Sequence, residues 1–182
     1  MTEGIGYEGF NGSRGMMKMD FIDIRRAYFH ADALRDVYIE LPDEDWEEGM
    51  CGKLEKSMYG TRDASQNWEE EYSETLKEIG FDRGKASPCV FYHKEKNLRI
   101  VVHGDDFTIL GYEPSLDWFR DRIKEKFDVK IRGRMGGGKE DVKSIRILNR
   151  IVTWYPDRVE YEADQRHAEI TIKQMGLKPG SG

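Results

Sequence analysis

The spacing of apolar residues changes period several times along the chain, between the two of a strand and the 3.6 of a helix. Residues 18–24, KMDFIDI, form a short apolar-rich run that predicts a buried strand. RRAYFHADAL (25–34) reads as a helical turn or short helix, and DVYIELP (36–42) alternates as a strand that stops at Pro42. DEDWEEG is an acidic loop, and MCGKLEKSMYG (50–60) predicts a strand and turn ending at Gly60. The clearest helix is DASQNWEEEYSETLKEIG, with Trp68, Tyr72, Leu76 and Ile79 at helical spacing. Asp63 is its candidate N-cap and Gly80 its stop. PCVFYHK (88–94), NLRIVVHG (97–104) and DFTILG (106–111) predict three closely linked strands, and PSLDWFRDRIKEKF (114–127) a second amphipathic helix. Beyond the glycine cluster GRMGGGKED, residues 143–164 predict two strands about a turn at Pro156–Asp157. DQRHAEITIKQMG (164–176) predicts a last helix stopped by Gly176. Interleaved helices and adjacent hairpins point to an α+β fold rather than a doubly wound parallel sheet. Residues 1–16 read as a loose, glycine-rich lead, 17–113 as a core, 114–177 as its continuation and 178–182 as a tail.

Length and composition narrow this only moderately. A chain of 182 residues suggests one domain or a compact piece of a larger protein. Hydrophobic residues make up 38% and charged residues 35%, a wet but globular balance. No apolar run approaches the roughly 18–20 residues of a membrane span. The N-terminus lacks the basic and apolar regions of a secretory signal, so a protein that is not secreted, without a membrane partner, is expected. Cys51 and Cys89, and His30, His93, His103 and His167, are scattered without CxxC or HxxxH spacing, which argues against structural zinc. Free, buried thiols in a reducing compartment are the expected state of the two cysteines.

Charge changes the picture more. The net −6 argues mildly against nucleic acid as a partner. Residues 120–150, however, carry eleven Lys and Arg against five Asp and Glu, a local +6 that leaves −12 elsewhere. This is either a solvated face or a surface that could hold a phosphate backbone beside an acidic site. Inside it, GRMGGGK (133–139) matches the GxxxxGK spacing of a phosphate loop. Glu140 stands where Ser or Thr should reach Mg²⁺, and no helix pattern follows, so the glycines read instead as a mobile connection.

The candidate chemistry lies in carboxylates. Asp23 closes the first predicted strand, and Asp105 and Asp106 sit at a predicted hairpin tip. Mg²⁺ prefers hard oxygen ligands. Two such ions can stabilise the attacking and leaving oxygens of a phosphoryl transfer. Three converging carboxylates without a cation would repel one another, so convergence would itself imply metal. Taken alone, the Asp pair is better explained as an ordinary turn.

Several blocks in order carry a family resemblance. DIRRAYF at Asp23 resembles the first catalytic motif of reverse transcriptases, an Asp followed four residues later by Ala and an aromatic pair. With the strand that ends at Pro42, DIRRAYFHADALRDVYIELP resembles the copia-type retrotransposon enzymes in particular. CGKLEKSMYGTRDASQNW is similar to their block before and into the first helix, matching at Cys51, Leu54, Lys56, Ser57, Tyr59, Gly60, Ala64 and Trp68. IGFDRGKASPCVFYH resembles the segment that follows, and VVHGDDFTILG falls where the family has Tyr-Val-Asp-Asp. The order holds from about residue 17 to 177.

The resemblance implies a palm-like antiparallel sheet with helices packed on one face and the catalytic carboxylates at strand ends and a hairpin tip. Residues 17–113 would be the palm core and 114–177 its connection. The reaction implied is RNA-directed DNA synthesis, transfer of a dNTP to a primer 3′-hydroxyl on an RNA or DNA template. Asp23, Asp105 and Asp106 would hold two Mg²⁺ ions, with Mn²⁺ as a substitute, and Tyr28 would be the steric gate that rejects a ribose 2′-hydroxyl. Asp63 stands where the family has a Gln near the nucleotide, and would repel a triphosphate or cap the helix. His103 and Gly104 replace Tyr and Val, and Gly104 is expected to loosen the hairpin. The family's fingers and RNase H segments are not recognisable, so a separate chain or a lost segment would supply them and the chain reads as truncated. The alternative is a catalytically inactive retroelement remnant that binds nucleic acid or another partner.

Overall fold

The computed structural model describes residues 16–162 and 165–176. The expected lead, apart from Met16, and the expected tail lie outside them. Packing divides the chain into a unit of residues 20–132 and a unit of residues 1–19 with 133–182.

The first unit runs from β1 (Lys18–Ile24, which begins in the other unit) through a 3₁₀ turn (Ala27–His30), β2 (Tyr38–Ile39) and β3 (Gly52–Lys53) to α1 (Ala64–Glu78). It continues with β4 (Asp82–Arg83), β5 (Val90–His93), β6 (Leu98–His103), β7 (Asp106–Gly111), α2 (Glu113–Lys126) and β8 (Val129–Met135), whose last residues belong to the other unit. The sheet order is β4-β5-β6-β7-β1-β8, with antiparallel pairing from β4 through β7. This is the expected α+β class with a mainly antiparallel sheet.

Alternation drives the packing. Leu98, Ile100 and Val102 of β6, Phe107 and Ile109 of β7, and Ile22 and Ile24 of β1 are buried in one core. Trp68, Tyr72 and Leu76 of α1 and Leu116, Phe119 and Ile123 of α2 join that same core, so both helices cover the face these alternate residues present. Asp20, on the same parity, is only 1% exposed and accepts two hydrogen bonds from Arg120 of α2 at 2.6 and 3.0 Å. One arginine of the basic segment is thereby a structural strut.

The first helix stops as its sequence suggests. Gly80, at φ 96°, donates to Lys77 O and Phe81 donates to Leu76 O, the paired bonds of a Schellman motif. Its start differs from expectation. Asp63 makes no side-chain cap; its carboxylate takes Arg35 Nε and Nη2 at 2.9 and 3.0 Å instead, which holds its pKa below the usual carboxylate range. The strands expected over 36–42 and 50–60 shrink to two residues each, pairing Tyr38 with Lys53 and Ile39 with Gly52. A two-stranded ribbon has no further strand to extend it, and Gly52 gives way to Ile39 and Leu41, whose side-chain carbons would lie 3.3 Å from any Cβ there.

The second unit carries β9 (Ser144–Ile147), β10 (Arg150–Trp154) and β11 (Val159–Tyr161), in antiparallel order β11-β10-β9, and α3 (Gln165–Gln174). Three strands stand where two were expected. The additional hairpin turns at Leu148 and Asn149, with φ 47° and 62°, the left-handed pair of a type I′ turn. Leucine at such a position hides the turn from a reading by residue type. Among the described residues no helix is long and apolar enough to cross a membrane.

Candidate active site

The strand parities that build the core also fix what lies on the reverse face. Ile22 and Ile24 point into the core, so Asp23 points away from it. Phe107 and Ile109 do the same for β7, which turns Asp106 outward, and Val129 and Ile131 pack against the core from β8, which turns Arg132 outward. Asp23, Asp106 and Arg132 therefore share one face of three neighbouring strands. Arg132 Nη1 donates to Asp106 Oδ1 at 3.1 Å, with the two side chains 31% and 17% exposed.

Asp105 reaches this group from the hairpin tip. His103 pairs with Asp106, leaving Gly104 and Asp105 as a two-residue loop. Gly104 has φ 63°, the positive angle that a type II′ turn needs at its first loop position. It suits the turn rather than loosening it. The tip is also anchored from outside: Trp68 Nε1 of α1 donates to Gly104 O, and Ile24 N of β1 donates to Asp105 O, both at 2.9 Å. The second bond ties the residue after Asp23 to the backbone of Asp105.

Burial raises the Asp106 carboxyl, Arg132 opposes that rise, and the charges of Asp105 and Asp23 reinforce it. Among the described residues no group of three or more His, Cys, Asp or Glu side chains is arranged to hold a metal ion. The ion pair at Asp106 bears directly on this, because that carboxylate is already engaged. The Asp23 and Asp105 carboxylates form no hydrogen bond or ion pair among the described residues. Two uncompensated carboxylates beside a third suit a hard divalent cation in donor chemistry.

Tyr28 lies in the 3₁₀ turn just beyond Asp23, half-buried against the core. Arg26 enters that turn in the left-handed region, at φ 53°. The Tyr28 ring stacks on Tyr59 with centroids 4.4 Å apart and planes 29° from parallel. Burial and the charge of Asp105 push the Tyr59 phenol up, while the backbone N–H groups of Tyr28 and Ala27 pull it down. The block around Tyr59 is bound in as well: Ser57 Oγ donates to Asp32 O, Ser57 N to Ala31 O, and Asn67 Nδ2 to Ser57 Oγ.

The expected site residues Asp23, Asp105, Asp106 and Tyr28 all fall around β1 and the β6–β7 tip. The sequence singled out neither Arg132, nor the stack of Tyr59 on Tyr28, nor the anchoring bond of Trp68. Arg132 was legible in principle, since the alternation of VKIRG gives its face once Val129 and Ile131 are taken as core.

The basic segment is largely engaged within the chain. Besides Arg120 and Arg132, Arg122 pairs with Glu125, and Lys126 with Glu78. The glycine loop is not an open phosphate cradle. Gly138 N donates to Asp141 Oδ2 at 2.6 Å, and Lys18 Nζ lies 3.1 Å from the same carboxylate. Lys143 Nζ donates to Gly136 O and Gly138 O at 2.6 and 2.8 Å. The loop's own carboxylate sits where an anion would.

Comparison with known proteins finds a family model and relatives that match the chain. Residues 13–137 match the family model described as Reverse transcriptase (RNA-dependent DNA polymerase). The chain is 27% identical over 124 residues, 64% of its length, to the Retrovirus-related Pol polyprotein from transposon TNT 1-94 of Nicotiana tabacum, of which it covers 9%. It is 28% identical over 124 residues, 67% of its length, to the Transposon Ty1-BL Gag-Pol polyprotein of Saccharomyces cerevisiae, of which it covers 7%. The chain therefore spans less than a tenth of the length of these curated relatives.

Proposed function

This chain belongs to the copia-type reverse transcriptase (RNA-dependent DNA polymerase) family, and on that premise we propose that it carries the palm of such an enzyme and its nucleotidyl-transfer site. The partners are an RNA or DNA template-primer and a dNTP. The observation that carries the proposal is the bond from Ile24 N to Asp105 O, which sets the Asp23 strand end against the Asp105–Asp106 tip inside the family-matched segment.

Asp23 and Asp105 would hold divalent cations, with Asp106 completing the cluster. Two bound Mg²⁺ ions, or Mn²⁺, supply charge neutralisation at the transferring phosphoryl and a lowered pKa for the attacking oxygen. The primer 3′-oxygen forms its bond to the α-phosphorus as the bond to pyrophosphate breaks and the hydroxyl proton leaves. Trp68 and Ile24 hold the tip so that the carboxylates need not reorganise. Tyr28 would meet the sugar of the incoming nucleotide, its ring orientation fixed by the stack on Tyr59. A ribose 2′-hydroxyl would collide with that ring.

Primer extension by this chain with a template-primer, dNTPs and Mg²⁺ tests the assignment. Asp105→Ala should lower extension by roughly a hundredfold or more. Metal-dependent extension that survives the substitution would sink the site. A second reading, nucleic-acid binding without catalysis, draws on the ion pair that engages Asp106. It expects salt-sensitive RNA binding that is indifferent to Asp105→Ala.

A further inference from the structure

We propose that Arg132 is an internal counter-ion of the carboxylate cluster, so that a divalent cation reaches Asp106 only when the guanidinium leaves it. The inference rests on the reading of Asp23, Asp105 and Asp106 as cation ligands. It assigns a competing group that reading does not contain.

The geometry is specific. The strand order β7-β1-β8 places Arg132 two strands from Asp106, yet its Nη1 reaches Asp106 Oδ1 at 3.1 Å, across β1 on the face that Asp23 occupies. Strand alternation forces this orientation, because turning Arg132 inward would eject Val129 and Ile131 from the core. Guanidinium keeps its charge at any ordinary pH. Three carboxylates gathered without a cation repel one another, and a fixed positive charge among them relieves that repulsion. The bond goes to Asp106, whose side chain is 17% exposed. Asp23 and Asp105 remain open to a cation from solution. Binding of a cation at Asp106 and binding of Arg132 there are then mutually exclusive, and linkage makes each weaken the other.

Mn²⁺ binding by the whole chain, followed by the electron paramagnetic resonance of free Mn²⁺, tests this in R132Q, R132K and D105N beside the unaltered protein. R132Q should bind Mn²⁺ more tightly, on the order of tenfold, and R132K should stay near the unaltered protein. Without metal R132Q should melt lower, and Mn²⁺ should raise its Tm more than it raises that of the unaltered chain. A measurement on the unaltered chain guards against a variant that does not fold: saturating Mg²⁺ should move the Arg132 Nε–H resonance towards that of a free arginine. Equal Mn²⁺ affinity in R132Q, or an Arg132 resonance that ignores bound Mg²⁺, overturns the counter-ion while a D105N-sensitive cation site still stands. Absence of any D105N-sensitive binding overturns the cation site itself, and the counter-ion with it.

Discussion

Two turns of this molecule set aspartates beside glycines, and they use them in opposite ways. In the glycine turn at residues 136–141 the carboxylate is consumed: Asp141 is 7% exposed, accepts from Gly138 N and pairs with Lys18. In the hairpin tip at Gly104 and Asp105 the backbone is consumed instead. Trp68 takes the Gly104 carbonyl and Ile24 the Asp105 carbonyl, and the Asp105 side chain stays exposed. A carboxylate that satisfies its own loop is part of the scaffold. A carboxylate held up by an anchored backbone, with no local partner, is free to meet something from solution. Spacing alone singles out both turns, one as a phosphate loop and one as a metal hairpin, and only the destination of each polar group separates them.

The strongest way to break this contrast is at the anchor. Trp68 is 1% exposed and meets Tyr72 and Phe127 edge to face, with centroids 5.5 and 4.9 Å apart. Trp68→Ala should cost about 3–5 kcal/mol in urea denaturation, from the cavity and the lost indole bond together. Trp68→Phe isolates the hydrogen bond. It should cost about 1–1.5 kcal/mol and speed amide exchange at the hairpin tip, including Ile24. Unchanged exchange in Trp68→Phe would mean that the tip does not depend on α1.

The next largest effect falls on the other turn. Asp141→Ala removes the carboxylate that pairs with Lys18, 15% exposed, and that accepts from Gly138 N. A loss of about 2–3 kcal/mol is expected, with Mn²⁺ binding unaltered. Asp105→Ala should by contrast change stability by no more than about 0.5 kcal/mol, as for an exposed side chain without partners. Should Asp105→Ala prove the more destabilising of the two, the division between scaffold and site carboxylates fails.

Much of this was legible in the chain. The strand 106–111 and the two long helices follow directly from periodicity, because their apolar faces are wide and their stops are glycines or charged loops. The facing of Asp23 and Asp106 follows from the same alternation, and the place of Asp105 from the hairpin tip. What sequence could not supply is pairing. The bond from Trp68 to Gly104 joins residues 36 apart in the chain, and that from Arg120 to Asp20 joins residues 100 apart. Asp63 illustrates the converse. Its type and position suit a helix cap, but Arg35, remote in sequence, offers a bidentate charged partner that a backbone N–H does not match. The Leu148–Asn149 turn was hidden because its geometry is imposed by the pairing of β9 with β10 rather than by a preferred residue type.

Gly104 gives the smallest and most selective test. An added Cβ there would meet nothing within 4 Å, so Gly104→Ala introduces no clash, only the positive φ of 63° imposed on an L side chain. The cost should be about 1 kcal/mol. Because both carbonyls of the tip are fastened from outside, the turn should keep its shape and absorb the strain locally. Mn²⁺ affinity should then fall by less than about threefold, about half of a tenfold change on the free-energy scale. A collapse of cation binding with only a small loss of stability would show that the tip is set by its own backbone angles. The bonds from Trp68 and Ile24 would then follow the turn rather than hold it.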